Sequence, residues 1–212
     1  MWKQAVGDLM DRSCITIRPR LPTDDYYIKV IDGRGCYSQV GYVKGIEPRF
    51  SEYQELSIST KNWACIDDAG TIAHELMHAL GFIHEQSRPD RDQYVEIIKE
   101  NIIPGKGSVD AKNQFRSYSA FMVTDQGTSY DYGSVMHYGM NYFGRKGPDG
   151  QPMQTIRALK PGGEKIGNRK APTETDMLEV RGLYKCPPGD YTTTPAPKTP
   201  PSRQLGICSF TR

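Results

Sequence analysis

The sequence predicts an α+β fold. Three observations carry that prediction. The chain opens with a helical apolar periodicity, continues with short runs rich in Ile, Val and Tyr, and then holds a helix whose polar face is histidine and glutamate alone. The expected arrangement is a small twisted sheet with two helices above it, a loop-rich half below, and the histidine helix between.

Trp2, Ala5, Val6, Leu9 and Met10 recur at i, i+3, i+4, i+7 and i+8, which predicts an amphipathic helix at the start. After Cys14, Ile15-Thr16-Ile17 and Tyr26 to Ile31 read as strands, with Gly33-Arg34-Gly35 as the turn after the second. Tyr37 to Val43 and Glu55 to Ser59 carry weaker strand signals. Asp67 or Asp68 can cap the helix that carries the histidines. Tyr94 to Ile98 and Phe115 to Tyr118 read as short helix or irregular chain. Glycine and polar residues dominate from Asp125 to Gly163, so loops are expected there. The last regular element starts at Thr173, where Asp176 three residues on resembles a capping box, and it ends at Cys186.

The segment from His74 to His84 holds three of the four histidines. At about 100° per residue, His74 and His78 stand on one helical face, a turn apart. Ile72, Ala73, Leu76, Met77 and Leu80 fill the opposite arc. Lys, Gln or several Glu would cover an ordinary solvated face, and here there are only two His and Glu75. Two imidazoles one turn apart can share a metal ion, with Glu75 beside them to handle a proton. Gly81 can take a positive φ, end the helix and return His84 as a third ligand. Three neutral nitrogens leave the fourth position of a tetrahedral Zn²⁺ open, as a catalytic site requires.

Composition narrows the partners. The net charge is +2 with both signs interspersed, which disfavours nucleic acid and anionic membranes. No apolar run approaches the length of a membrane span, and Met1 to Met10 lack the apolar stretch of a signal peptide. Five cysteines, Cys14, Cys36, Cys65, Cys186 and Cys208, suggest an oxidising compartment. Two pairs drawn from five allow about 15 pairings, which spacing alone does not resolve. Tyr191 to Pro201 is a Thr/Pro run of extended character.

The pattern H-E-x-x-H-x-x-G-x-x-H resembles the metzincin signature. His84-Glu85-Gln86-Ser87-Arg88-Pro89-Asp90-Arg91-Asp92 and Tyr130 to Tyr138 resemble two further segments of the astacin family of zinc endopeptidases, the second being its Met-turn. The resemblance extends from Cys14 to Cys186. It implies a two-lobed fold, with a small sheet and active-site helix in the first lobe and a loop-rich second lobe ending in a helix. It implies disulfides Cys14–Cys186 and Cys36–Cys65, leaving Cys208 over. It assigns one catalytic Zn²⁺ to His74, His78 and His84, the general base to Glu75, an oxyanion donor to Tyr138, and a packing role beneath the ligands to Met136. Glu85 matches the residue that receives an amino terminus freed by propeptide removal. Ile166 to Arg169 resembles a segment that places an arginine beyond the scissile bond, which makes Arg169 a candidate for binding acidic substrate residues. His137 reads as structural, since a fourth protein ligand would close the site.

The organisation expected is a catalytic domain over 1–187, a Thr/Pro-rich linker over 188–207, and 208–212 as either the start of a further cysteine-bearing module or a tail. In the family a strand precedes the first helix, so the start of the domain reads as truncated, with a sheet edge left uncovered. The expected function is a secreted zinc endopeptidase acting on proteins or peptides. The alternative is a metzincin-fold binding or adhesion module that no longer catalyses.

Overall fold

The computed structural model describes residues 1–61, 65–105, 111–189, 191 and 205–208. In chain order the elements are α1 (Trp2–Asp11), β1 (Ile17–Pro19), β2 (Tyr27–Ile31), β3 (Tyr37–Ser38), β4 (Tyr53–Ser57), α2 (Ala69–Ala79), β5 (Val95–Ile97), β6 (Ile156–Ala158), α3 (Glu174–Leu183) and β7 (Leu205–Cys208). The chain divides into two units, 1–82 with 169–212, and 83–168.

The first unit is built on a five-stranded sheet of order β1-β7-β2-β4-β3. Strands β2 and β4 run parallel, with Tyr27 opposite Tyr53 and Val30 opposite Leu56, and β3 is antiparallel to β4. Alternation decides the faces of β2: Ile28 and Val30 are buried while Lys29 between them is exposed. Helix α2 packs against α1, β3 and β4. The apolar side of α1 is narrower than its periodicity suggested, because only Ala5 and Leu9 are fully buried. Strand β3 is shorter than the run to Val43, since the chain turns through Gly41 at φ 73°.

Both expected disulfides are present, Cys14–Cys186 and Cys36–Cys65. The first ties α1 to the end of α3, and three guanidinium bonds reinforce it. Arg12 donates to the carbonyls of Pro172 (2.7 Å) and Thr173 (3.0 Å), and Arg181 donates to the carbonyl of Arg12 (2.9 Å). Tyr184 donates its hydroxyl to the Leu80 carbonyl at the end of α2. These links hold α3 in the first unit. Its capping box is as expected: Thr173 accepts from the Asp176 amide and the Asp176 carboxylate accepts from the Thr173 amide. Asp68 stands at the N-cap of α2 in extended conformation, yet its side chain makes no capping bond.

In the second unit, Val95–Ile97 pairs antiparallel with Ile156–Ala158. A short helix or irregular chain was expected at the first and loop at the second. Val95 and Ile156 are buried while Glu96 and Arg157 pair outside, so two short β-branched segments form a ladder that neither could hold alone. Around this ladder Val95, Ile102, Phe115, Tyr130, Tyr132, Tyr138 and Ile156 form the core.

Part of the expected linker falls on described residues. Leu205–Ile207 is part of β7, because an apolar segment free of proline can enter a ladder that the Thr/Pro run cannot. Most of that run, and 209–212, lie outside the described residues.

Two glycines of this frame make opposite demands. A Cβ on Gly70 would lie 2.1 Å from the Arg169 carbonyl oxygen, whereas one on Gly81 would meet nothing nearer than 3.8 Å but would sit at φ 106°. Gly70→Ala gains about 1 kcal/mol in helix propensity, but the atoms it would meet are backbone that cannot swing aside, so the overpacking costs about 3 kcal/mol or more. Gly81→Ala costs about 1 kcal/mol through backbone strain alone. Denaturant midpoints should therefore fall further for Gly70→Ala than for Gly81→Ala, the reverse of what helix propensity alone predicts.

Candidate metal centre

Helix α2 carries His74, Glu75 and His78, all buried, and ends in a left-handed turn. The Phe82 amide donates to the Met77 carbonyl (3.1 Å) and the Gly81 amide to the His78 carbonyl (2.9 Å). These are the two bonds of a Schellman motif, with Gly81 at φ 106° supplying the residue it needs. The reversal brings His84 round, as the spacing predicted. One nitrogen from each of His74, His78 and His84 lies within 4.8 Å of the others.

The turn also orients a ligand. His78 Nδ1 lies 2.8 Å from the Phe82 carbonyl oxygen. A carbonyl only accepts, so Nδ1 carries the proton and Nε2 keeps its lone pair for a metal. Burial pushes the His78 pKa down to about 4, with the nearby Arg169 charge adding to the effect, so the ring is neutral at physiological pH. His74 and His78 meet edge to face at 4.6 Å, and the half-buried His84 lies 4.3 Å from the Tyr138 ring.

Glu75 is 5% exposed, and its Oε2 has no hydrogen-bond partner among the described residues. Burial pushes its pKa up to about 8, while the Arg169 charge pulls the other way. A buried, unbonded carboxylate oxygen on the residue that follows His74 is costly as pure structure, and it suits a group that exchanges a proton with something bound nearby. The donor set fits Zn²⁺: three nitrogens, no thiolate, and a carboxylate adjacent in sequence to a ligand.

The segment from Asp131 to Tyr138 makes a tight turn, with the Ser134 amide donating to the Asp131 carbonyl and the His137 amide to the Ser134 carbonyl. Met136 is buried, and its carbonyl accepts from the Glu85 amide. Tyr138 is buried, its amide donating to Gln86 Oε1 (2.9 Å) and its hydroxyl to Gln114 Oε1 (3.4 Å). Gln86 and Gln114 escaped the sequence reading, because nothing in local pattern distinguishes a glutamine that holds a distant amide from one in solvent. Gln86 lay inside the quoted His84–Asp92 segment and could have been singled out there.

His137 is fully buried, and both its nitrogens are engaged. Nδ1 donates to the Tyr138 carbonyl, so Nε2 accepts from the Tyr130 hydroxyl, each at 2.7 Å. Burial raises the Tyr130 pKa well above that of an ordinary phenol and keeps its proton on the donor. This agrees with the structural role expected of His137. Glu85 is buried too. Its Oε1 accepts from the Asp131 amide (2.8 Å) and lies 3.4 Å from Arg88, which also pairs with Asp90. Arg169 is half-buried, with its backbone seated against Gly70 of α2 and its charge felt by Glu75 and His78.

The sequence model of Astacin, a peptidase family, matches residues 1–185. Zinc metalloproteinase nas-13 of Caenorhabditis elegans is 39% identical over 190 residues, covering 90% of this chain and 37% of that protein. Meprin A subunit beta of Rattus norvegicus is 35% identical over 175 residues, covering 82% of this chain and 22% of that protein. The chain thus spans less than two fifths of the length of these relatives. High choriolytic enzyme 1 of Oryzias latipes, a hatching enzyme zinc-protease, superposes with a TM-score of 0.71 at 33% identity, covering 87% of this chain and 81% of that one. Myroilysin shares the fold at a TM-score of 0.58 and 21% identity. A match that runs from the first residue through α3, on a chain whose three histidines converge as that family's motif requires, places it: this protein belongs to the astacin family.

Proposed function

We propose that the chain is a zinc-dependent endopeptidase that hydrolyses peptide bonds in proteins, with Glu75 as its general base. The observation that carries this reading is the orphaned Glu75 oxygen beside the three-histidine group. His74, His78 and His84 would hold a zinc ion, which would supply Lewis acidity and lower the pKa of a bound water to about 7. The Phe82 carbonyl fixes the tautomer of His78. Glu75 takes the proton of the attacking water on Oε2 and returns it to the leaving amine nitrogen. The Tyr138 hydroxyl, resting on Gln114, can turn and donate to the oxyanion of the tetrahedral intermediate. Met136 is buried just before Tyr138, and the family resemblance gives it a packing role beneath the ligands.

Arg169 gives the substrate preference. Its backbone is wedged on Gly70, one turn before His74, so its guanidinium shares a helix neighbourhood with Glu75. A guanidinium there would form a charge-assisted pair with an acidic side chain just after the scissile bond, the role that the family resemblance gives it. The two disulfides agree with a secreted protein, and no described helix is long and apolar enough to cross a membrane. A silent binding module would have no need of the unpaired Glu75 oxygen, and no observation favours that alternative.

Metal analysis and peptide turnover test the assignment together. Glu75→Gln should keep stoichiometric zinc and lose nearly all turnover, and His78→Ala should lose both. Normal cleavage by the Gln variant would refute the mechanism. Tyr138→Phe should keep fold and zinc while kcat falls on the order of 10²–10³-fold, by analogy with loss of an oxyanion donor.

Digestion of a peptide library tests Arg169. The wild type should favour Asp or Glu immediately after the cut, and Arg169→Ala should lose most of that preference with other positions unchanged.

Titrating the stability of the metal-free chain tests the burial of Glu75. Its pKa is raised from 4.5 to about 8, so its stabilising contribution is complete below pH 4.5 and is lost as pH rises through 8. His78 runs the opposite way, complete above 6.5 and lost as pH falls through 4. Metal-free Glu75→Gln should therefore gain melting temperature over metal-free wild type progressively from pH 4.5 to 8.

A further inference from the structure

Among the described residues three besides glycine have a positive φ: Gln126, Phe143 and Lys185, at 53°, 57° and 50°. Two of them have local reasons. Lys185 ends α3 in a Schellman motif, its amide donating to the Gly182 carbonyl and the Cys186 amide to the Arg181 carbonyl. Gln126 stands beside Gly127 in the turn that the Thr128 amide closes on the Asp125 carbonyl. Phe143 has no such reason. It is the third residue of the turn that the Gly144 amide closes on the Asn141 carbonyl (3.0 Å), where a positive φ calls for glycine. We propose that Phe143 is a positioning residue for the reaction: its strained backbone sets the ring against Tyr138 and so limits where the Tyr138 hydroxyl can go. This rests on the reading of Tyr138 as the oxyanion donor.

Burial does not repay the strain, since Phe143 remains 37% exposed. The surrounding chain enforces it instead. The Ile103 amide donates to the Phe143 carbonyl and the Arg145 amide to the Asn101 carbonyl, each at 2.8 Å. Thr155, fully buried, donates its hydroxyl to the Tyr142 carbonyl (2.7 Å). What the conformation achieves is aromatic contact. The Phe143 ring lies 5.7 Å from that of Tyr138 and 6.0 Å, edge to face, from that of Phe115. Phe115 in turn meets Tyr138 edge to face at 6.0 Å, and Tyr142 approaches it at 5.4 Å. A ring so flanked has few rotamers open, so its hydroxyl is presented over a narrow range of positions. Donation to an oxyanion needs that narrowness, because a displaced hydroxyl loses the bond.

Kinetics and melting of the zinc-loaded full chain test this on Phe143→Gly, Phe143→Leu and Phe143→Tyr, each also combined with Tyr138→Phe. Glycine takes the positive φ without strain, so Phe143→Gly should melt close to wild type and keep its zinc. Its kcat should nonetheless fall about tenfold with KM little changed. Leucine keeps bulk and strain without the ring, and should lose kcat to a similar extent. Phe143→Tyr keeps the ring and should keep kcat. In the Tyr138→Phe background, where no hydroxyl remains to be placed, none of the three should lower kcat further. Wild-type kcat in Phe143→Gly would overturn the proposal. So would equal losses in both backgrounds, which would show Phe143 acting independently of Tyr138. A Gly variant that loses zinc or melts well below wild type would reduce Phe143 to packing. Unchanged kcat in Tyr138→Phe alone would overturn the oxyanion role and this proposal together. A large loss there beside normal Phe143 variants would overturn this proposal alone.

Discussion

The site depends on the left-handed turn at Gly81. One backbone reversal ends α2, closes two terminal carbonyls with amides of the same turn, and sends the chain back so that His84 meets His74 and His78. The Phe82 carbonyl that the turn creates is also the acceptor that sets the His78 tautomer. Ligand geometry and ligand protonation are thus two results of one local structure. Burial completes the arrangement by keeping His78 neutral, which is the form that binds metal.

Around that turn the protein holds α2 from several sides. Tyr184 bonds to the Leu80 carbonyl, and the Gly41 amide donates to the His78 carbonyl, so neighbours as well as its own turn satisfy the helix end. Arg12, Arg181 and the Cys14–Cys186 bridge join α1 to the region of α3, and α2 packs on α1. The rigidity that a preorganised ligand set needs comes from elements far apart in sequence.

What could be read beforehand divides by range of interaction. His74, Glu75, His78, Gly81 and His84 were legible because helix geometry and one glycine relate them within eleven residues. The Thr173–Asp176 cap was legible for the same reason. The β5–β6 ladder was not, because each strand is three residues long and takes its identity from a partner about sixty positions away. Strand β7 was missed for that reason too, lying beside a proline-rich run that suggested linker. The disulfide pairing came from family resemblance alone, since spacing left every combination open. Gln86 and Gln114 stayed hidden because their roles exist only once Tyr138 is folded against them.

The absence of a side chain at Gly70 has a consequence for how the sequence around this site can vary. The backbone at Arg169 is seated directly on the helix bearing the ligands, with no room for even a methyl group between them. Lengthening or shortening the chain at that contact would displace the helix that carries His74 and His78, so the backbone at 169 is fixed by the same packing that positions the ligand candidates. Insertions and deletions in this segment must therefore fall away from that contact.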